Sequence, residues 1–347
     1  MKRMEITGVP KLLNCSQEDD GQTLGVEKIA SNITQLVGWT PMVELKHIME
    51  RDGLGSRLVG KIDFYQPLSS IKDRTALGMI EDAEQKGFIT PGISTLVGCT
   101  GGNFGIGVAL NAIQKDYKFI AVMLENCSLE KQILLKYLGV DVALIASNLG
   151  IEEAFNKMKE IHAETPNSYI MDQFTNFANP DAHFKTTGPE IWKDTAGKID
   201  FLVCGVGSGG TLTGAGRYLK MKNPNVKIIA VEPTESAVLS GGKPGKHAIQ
   251  GIGAGIIPLV LDVSLIDEVV TVSSEEALNN SRRLASVEGI LAGISSGAAL
   301  AASLKVAKRA ENKDKMIVTV FASGGERYSS SQLFAKAREE SSKIRVL

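Results

Sequence analysis

Four segments of the chain carry residue types whose spacing suits chemistry. The first, Gly205-Val206-Gly207-Ser208-Gly209-Gly210-Thr211, follows the apolar run Phe201-Leu202-Val203-Cys204 and opens a stretch with helical spacing. Strand, glycine loop and helix in that order make an anion cradle. Glycines let the backbone turn tightly and aim successive N–H groups at one point, and the helix N-terminus adds its positive dipole end. Ser208 and Thr211 can add hydroxyl donors. The same segment also reads G-x-G-x-x-G at Gly205, Gly207 and Gly210, and Glu232 follows about twenty residues on, where a dinucleotide fold places its ribose-binding acid. On these residues alone a phosphate cradle and a nicotinamide site both stay open.

The second segment, Thr100-Gly101-Gly102-Asn103-Phe104-Gly105, is another junction of this kind. It offers N–H, hydroxyl and amide groups to a small polar ligand, or else is a plain turn with an asparagine cap. The third, Ser69-Ser70-Ile71-Lys72-Asp73-Arg74, lies between a strand and its helix. A lysine there is ordinarily solvated. Desolvated at a helix start, it has a lowered pKa and its amine can form a Schiff base. The fourth, Gly293-Ile294-Ser295-Ser296-Gly297-Ala298, precedes a helix of small residues, and either serine can serve as its N-cap.

Positioning these segments takes a regular frame, and from about residue 58 β-rich runs alternate with helical ones. Strands are predicted at 58–62, 94–97, 119–123, 141–145, 201–204, 228–231, 268–272 and 316–321, with another at 169–171. Helices are predicted at 75–85, 104–115, 129–137, 151–160, 211–222, 274–288 and 296–309. Helical period is plain in Ala76, Met79, Ile80 and Ala83, and in Ile106, Val108, Leu110 and Ile113. The alternation is that of an α/β protein with doubly wound, mostly parallel sheets. A seam near Pro166-Asn167 divides a smaller lobe, 60–172, from a larger one, 29–59 plus 173–335; 1–28 reads as an extension and 336–347 as a tail.

Composition narrows the function classes. The 347 residues suit two domains at roughly 150 residues each. The chain is 43% hydrophobic and 22% charged with a net charge of -1, which gives it no general pull on nucleic acid or anionic membrane. Cys15, Cys99, Cys127 and Cys204 and the histidines His47, His162, His183 and His247 are dispersed, so no metal site or disulfide framework is expected. No apolar run approaches the ~18 residues of a membrane span. The first thirty residues lack an apolar leader, so a cytoplasmic location is expected.

Taken in order, S-S-I-K-D-R, T-x-G-N-x-G, Q-F-x-N-x-A-N-x-x-x-H, G-x-G-S-G-G-T and G-I-S-S-G-A resemble the cysteine synthase family of O-acetylserine sulfhydrylases and β-cyanoalanine synthases, over roughly residues 30–335. The plant branch looks nearest. The resemblance implies a fold-type II (tryptophan synthase β-like) pyridoxal-phosphate enzyme: two doubly wound open-sheet lobes, the smaller one mobile, in a homodimer. It further implies β-substitution on an O-acetylserine-like amino acid through an aminoacrylate, with sulfide or cyanide as nucleophile and Lys72 as Schiff-base lysine and proton carrier. Asn103 then matches the cofactor O3′ ligand. Gly207, Ser208, Gly209, Gly210 and Thr211 match the phosphate cradle, and Ser295 the hydroxyl facing the pyridine nitrogen. Thr100, Gly101, Phe104 and Gln173 match substrate positions.

The departures lie on the substrate side. The family's T-S-G-N-T-G carries Gly101 and Phe104 here, removing two hydroxyl donors worth about 1.5–3 kcal/mol each toward a charged group. Cys127 stands within the family's M-P-x-S-M-S, and Gly324 where an aromatic is usual. Two alternatives follow from these changes: a changed donor or nucleophile, as in specialised amine or alkaloid metabolism, or a weakly catalytic paralogue that binds a partner. The basic loop Lys243-Pro244-Gly245-Lys246-His247-Ala248 lacks the lysine that usually follows the histidine, so docking of serine acetyltransferase is expected to be weak.

Overall fold

In the computed structural model residues 29–344 are described; the extension over 1–28, with Cys15, and the last residues of the tail lie outside them. The elements in chain order are β1 (Met42–Glu44), α1 (Lys46–Arg51), β2 (Arg57–Ile62), α2 (Lys72–Gln85), β3 (Thr95–Cys99), α3 (Asn103–Gln114), β4 (Lys118–Leu124), α4 (Leu129–Tyr137), β5 (Asp141–Ile145), α5 (Gly150–Glu164) and β6 (Ser168–Ile170). The second half holds α6 (Ala178–Lys185), α7 (Thr187–Asp194), β7 (Phe201–Gly205), α8 (Gly210–Lys222), β8 (Lys227–Pro233), β9 (Glu268–Val272), α9 (Ser274–Glu288), α10 (Ile294–Ala307), β10 (Met316–Phe321) and α11 (Ala335–Ser341).

Two sheets result, ordered β1-β2-β10-β7-β8-β9 and β5-β4-β3-β6. All pairings are parallel except β1 with β2. Helices cover parallel strands on both faces, so a central strand is apolar throughout rather than alternating. β10, Met-Ile-Val-Thr-Val-Phe, is buried at every residue. The division near residue 60 meets a complication. β2 pairs with β10 from Arg57 to Ile62 and lies wholly in the six-stranded sheet, whereas the strands of the smaller sheet begin at Thr95.

The short elements β1, α1, α6, α7 and α11 carry too few residues to show a period, and Pro180 and Pro189 stand in the first turns of α6 and α7. α2 begins at Lys72, three residues before its predicted start at 75. Its first turn, Lys72-Asp73-Arg74, is polar and so masks the apolar period, yet Asp73 and Arg74 are buried.

Ion pairing makes that burial possible. Arg74 Nη1 donates to Glu190 Oε1 at 2.6 Å and Nη2 to Glu190 Oε2 at 2.7 Å, while Nη2 also reaches Asp63 Oδ1 at 3.1 Å. Lys61 Nζ donates to Glu190 Oε2 at 2.7 Å and to the Thr40 carbonyl at 2.6 Å. Burial alone would raise the Glu190 pKa, but Arg74 and Lys61 overcome it and hold the carboxyl down at about 2. This cluster joins the start of α2 to β2 and α7. Removing one member of such a buried set costs about 3–5 kcal/mol, because it strands the remaining charges.

Candidate functional site

The glycine loop between β7 and α8 is shaped by close backbone approach. Gly209 has φ +84°, a conformation costly for other residues. A Cβ on Gly207 would collide with the Gly251 carbonyl oxygen, one on Gly210 with the Asn179 side chain, and one on Gly214 with the Pro180 carbonyl oxygen. Among the described residues no protein group accepts from the N–H groups of Gly207, Ser208, Gly209, Gly210 or Thr211. Five free donors converge at a helix N-terminus, an arrangement suited to phosphate.

The rival dinucleotide reading loses its acid. Glu232 is buried and spent locally, accepting from the N–H groups of Leu239 and Ser240 at 2.8 and 2.9 Å and from the Ser240 hydroxyl at 2.6 Å.

Two side chains on one face of α6 tie this cradle to α2. Asn179 Nδ2 donates to Ser208 Oγ at 3.0 Å and to the Gln173 carbonyl at 2.8 Å, and Asn179 Oδ1 accepts from Thr75 Oγ1 at 3.3 Å. His183 Nε2 lies 3.3 Å from Thr211 Oγ1 and 3.2 Å from Thr75 Oγ1, with Nδ1 2.9 Å from Thr187 Oγ1. Burial, then the cations of Arg74 and Lys72, keeps the His183 pKa well below its ordinary value, so the ring is neutral. Both residues lie in the motif Q-F-x-N-x-A-N-x-x-x-H, in which Gln173 is the residue matched to the substrate. The i, i+4 spacing of Asn179 and His183 was the available signal.

Lys72 is the first residue of α2, one turn before Thr75. No acceptor or counter-ion for its Nζ occurs among the described residues, and burial lowers its pKa to about 8. α3 crosses directly over it: a Cβ on Gly107 would stand 2.8 Å from the Lys72 carbonyl oxygen. Asp73 accepts from the Leu68 N–H at 2.7 Å; burial raises its pKa to about 7.

Asn103 opens α3, and both ends of its amide are fixed from the segment after β10. Arg327 Nη1 donates to Oδ1 at 3.0 Å, and Nδ2 donates to Tyr328 Oη at 3.4 Å. Tyr328 Oη is in turn 2.8 Å from Ser323 Oγ. Ser295 and Ser296 do not cap α10. Its N-cap is Gly293, against which Tyr328 and Ser323 pack, and among the described residues the hydroxyls of both serines have no partner.

In the second glycine loop Thr100 spends its hydroxyl oxygen as a cap, accepting from the Gly105 N–H at 3.0 Å. Among the described residues the N–H groups of Gly101, Asn103 and Phe104 have no acceptor, and Gln173 Oε1 is buried without a partner. Phe104 differs from the expectation that its ring faces a substrate. It is 2% exposed and joins Met79, Leu135 and Met171 in the apolar cluster of the smaller lobe, so it can offer a ligand only its N–H. Gly324, where an aromatic is usual, has its side-chain space filled by Ser69 and Glu326.

The arrangement therefore brings Lys72, Asn103, the 207–211 loop, Ser295 and Gln173 into one constellation between the sheets. Among the described residues no group of His, Cys, Asp and Glu could hold a metal ion, and no helix is long and apolar enough to cross a membrane.

Comparison with known proteins identifies the family. The family of pyridoxal-phosphate dependent enzymes matches residues 33–323. Cysteine synthase 3 of Caenorhabditis elegans is 45% identical over 308 residues, covering 89% of this chain and 91% of the relative. The crystal structure of a cysteine synthase from Entamoeba histolytica superposes with a TM-score of 0.85 at 35% identity, over 94% of this chain and 96% of that one. That of an O-ureido-L-serine synthase superposes with a TM-score of 0.84 at 38% identity, over 88% and 95%.

Proposed function

Since the chain belongs to the pyridoxal-phosphate dependent enzymes and resembles cysteine synthases over most of its length, we propose that it replaces the β-substituent of an O-acetylserine-like amino acid by a small nucleophile. The residues fit the cofactor. Five unpaired N–H groups and the hydroxyls of Ser208 and Thr211 suit its phosphate, the unpaired hydroxyl of Ser295 and the fixed amide of Asn103 suit its ring, and Lys72 supplies an amine free of any counter-ion. When bound, the cofactor provides an electron sink for negative charge at the substrate α-carbon.

The side chains perform the rest. The N–H groups of Gly101, Asn103 and Phe104, at the positive end of α3, receive the substrate carboxylate, and the Gln173 side-chain NH2, not its unpaired Oε1, is the further donor. Lys72 Nζ takes the α-proton. Burial that depresses its pKa to about 8 raises its neutral fraction, which a general base requires. The β-carbon bond to the leaving group then breaks, the nucleophile bonds to that carbon, and Lys72 returns the proton to the α-carbon. Ser295 contributes a neutral hydroxyl rather than a carboxylate, a choice that favours β-elimination over transamination.

One set of observations carries this reading: Lys72 is desolvated and without a counter-ion among the described residues, α3 crosses its backbone at Gly107, and Thr75, one turn on, is tied through Asn179 and His183 to the 207–211 loop. The test is a visible-absorbance titration of the holoenzyme with a panel of β-substituted alanines. O-acetylserine is expected to replace the resting band, and sulfide to restore it with release of cysteine. A resting band unmoved by O-acetylserine and moved by another member of the panel would transfer the proposal to that donor. A band moved by none would overturn it.

Lesser readings belong with it. A homodimer and a plant-type affinity rest on the resemblance of the motifs. Weak docking of serine acetyltransferase rests on Ala248 in the exposed basic loop, where a lysine is usual.

A further inference from the structure

The carboxylate loop and the turn before α4 meet more closely at one point than side chains permit. An ideal Cβ placed on Gly101 would overlap Cys127 Sγ and stand 3.2 Å from Cys127 Cβ. Ordinary contacts between such atoms begin near 3.4 Å.

Neither backbone is free to retreat. On one side Thr100 donates its N–H to the Val122 carbonyl at 2.8 Å and caps Gly105, and Gly102 is the N-cap of α3. On the other, the Cys127 N–H bonds the Leu124 carbonyl at 3.0 Å, and its carbonyl accepts from Gln132 Nε2 at 2.9 Å. The thiol must leave its place by rotating about the Cα–Cβ bond, whereas the Cβ at 3.2 Å needs to give by only a few tenths of an ångström.

We propose that Cys127 is a specificity-determining residue for the amino-acid substrate. Its thiol fills the space that a side chain at residue 101 requires, holds that position to glycine, and leaves carboxylate recognition to main-chain N–H groups. This deepens the proposed function and rests on it. Gly101 is then one half of a packed pair rather than a lost donor, and a serine hydroxyl cannot be restored at 101 without making room at 127.

The role is steric. Burial raises the Cys127 thiol above its ordinary pKa despite Lys131 nearby, and Cys99, the other thiol beside it, is pushed up to about 12 by burial. Both are protonated near neutrality, so neither is poised as a nucleophile.

The test is a double-mutant cycle in the holoenzyme with Gly101→Ser, Cys127→Ala and the double variant, measuring kcat and KM for the amino acid. Gly101→Ser alone is expected to raise KM at least tenfold while kcat moves less than threefold. Adding Cys127→Ala is expected to bring KM back to within about threefold of the starting enzyme. Equal KM in Gly101→Ser and the starting enzyme would overturn the proposal, as would failure of Cys127→Ala to rescue it. Thermal midpoints give a readout that does not depend on the substrate: Gly101→Ser lowers the midpoint and Cys127→Ala recovers it. Additive shifts would also overturn the pairing. If the starting enzyme turns over no amino acid, the proposed function fails, and the midpoints alone decide the packing claim.

Discussion

The loops after β7 and after β3 are built alike, as strand, glycine turn and helix N-terminus with unpaired N–H groups, yet they are held by different things. The 207–211 loop meets fixed backbone at Gly207, where the Gly251 carbonyl lies against it, and the Pro180 carbonyl lies likewise against Gly214 in the helix that follows. Two buried side chains, Asn179 and His183, bond its hydroxyls. The 100–104 loop is held by side chains from elsewhere, namely the Cys127 thiol against Gly101 and Arg327 on Asn103. A backbone clamp tolerates almost no change. A side-chain clamp can be retuned by one substitution at a distant position, and here the departures from the family pattern fall in the second loop.

Lys72, which serves both loops, gives the largest expected effect. Lys72→Ala is expected to lower kcat/KM by at least about 10³-fold, from loss of both linkage and proton transfer. Binding of the cofactor phosphate at the 207–211 loop should persist, measured by equilibrium dialysis. Activity within tenfold of the starting enzyme would detach Lys72 from the chemistry.

The frame beneath Lys72 comes next. Glu190→Ala is expected to cost about 3–5 kcal/mol in denaturant unfolding, by stranding Arg74 and Lys61 in the interior. The acid limb follows with a definite sign. The Glu190 carboxyl titrates at about 2 when folded against an ordinary 4.5, so its contribution is present above about 4.5 and lost as pH falls toward 2. Glu190→Gln should flatten stability across that window. An unchanged acid limb would show that other carboxyls govern it.

A paired substitution sets the two loops against each other. Gly207→Ala meets a fixed carbonyl oxygen, so cofactor affinity should fall about thirtyfold, ~2 kcal/mol. Gly101→Ala meets a thiol that can rotate, and cofactor affinity should fall less than threefold. Equal losses, by fluorescence titration of the apoenzyme, would erase the distinction.

How much of this could be read in the chain follows the same division. The cradle and the long strands were legible because each is one contiguous segment with a local physical reason. Asn179 and His183 were obscured by Pro180, which hides the helical period of α6. Phe104 was misplaced beside the substrate, although Val108 and Ala112 continue its i, i+4 face into the apolar cluster and all three are buried. The meeting of Gly101 with Cys127 had no local signal, since it depends on how a turn after β4 lies against a loop after β3. The ion cluster of Arg74 was hidden for the same reason, its partners Asp63 and Glu190 coming from separate elements.

Among the described residues two lysines are brought down to about 8 by burial: Lys72, and Lys131, whose Nζ donates to Gln250 Oε1 at 2.6 Å and lies over the Tyr328 ring. The most direct measurement is therefore borohydride reduction of the cofactor-loaded protein, followed by peptide mapping by mass spectrometry. A pyridoxyl label on the peptide containing Lys72, and on no other, is the predicted result. A label on the Lys131 peptide, or none on Lys72, would contradict the account.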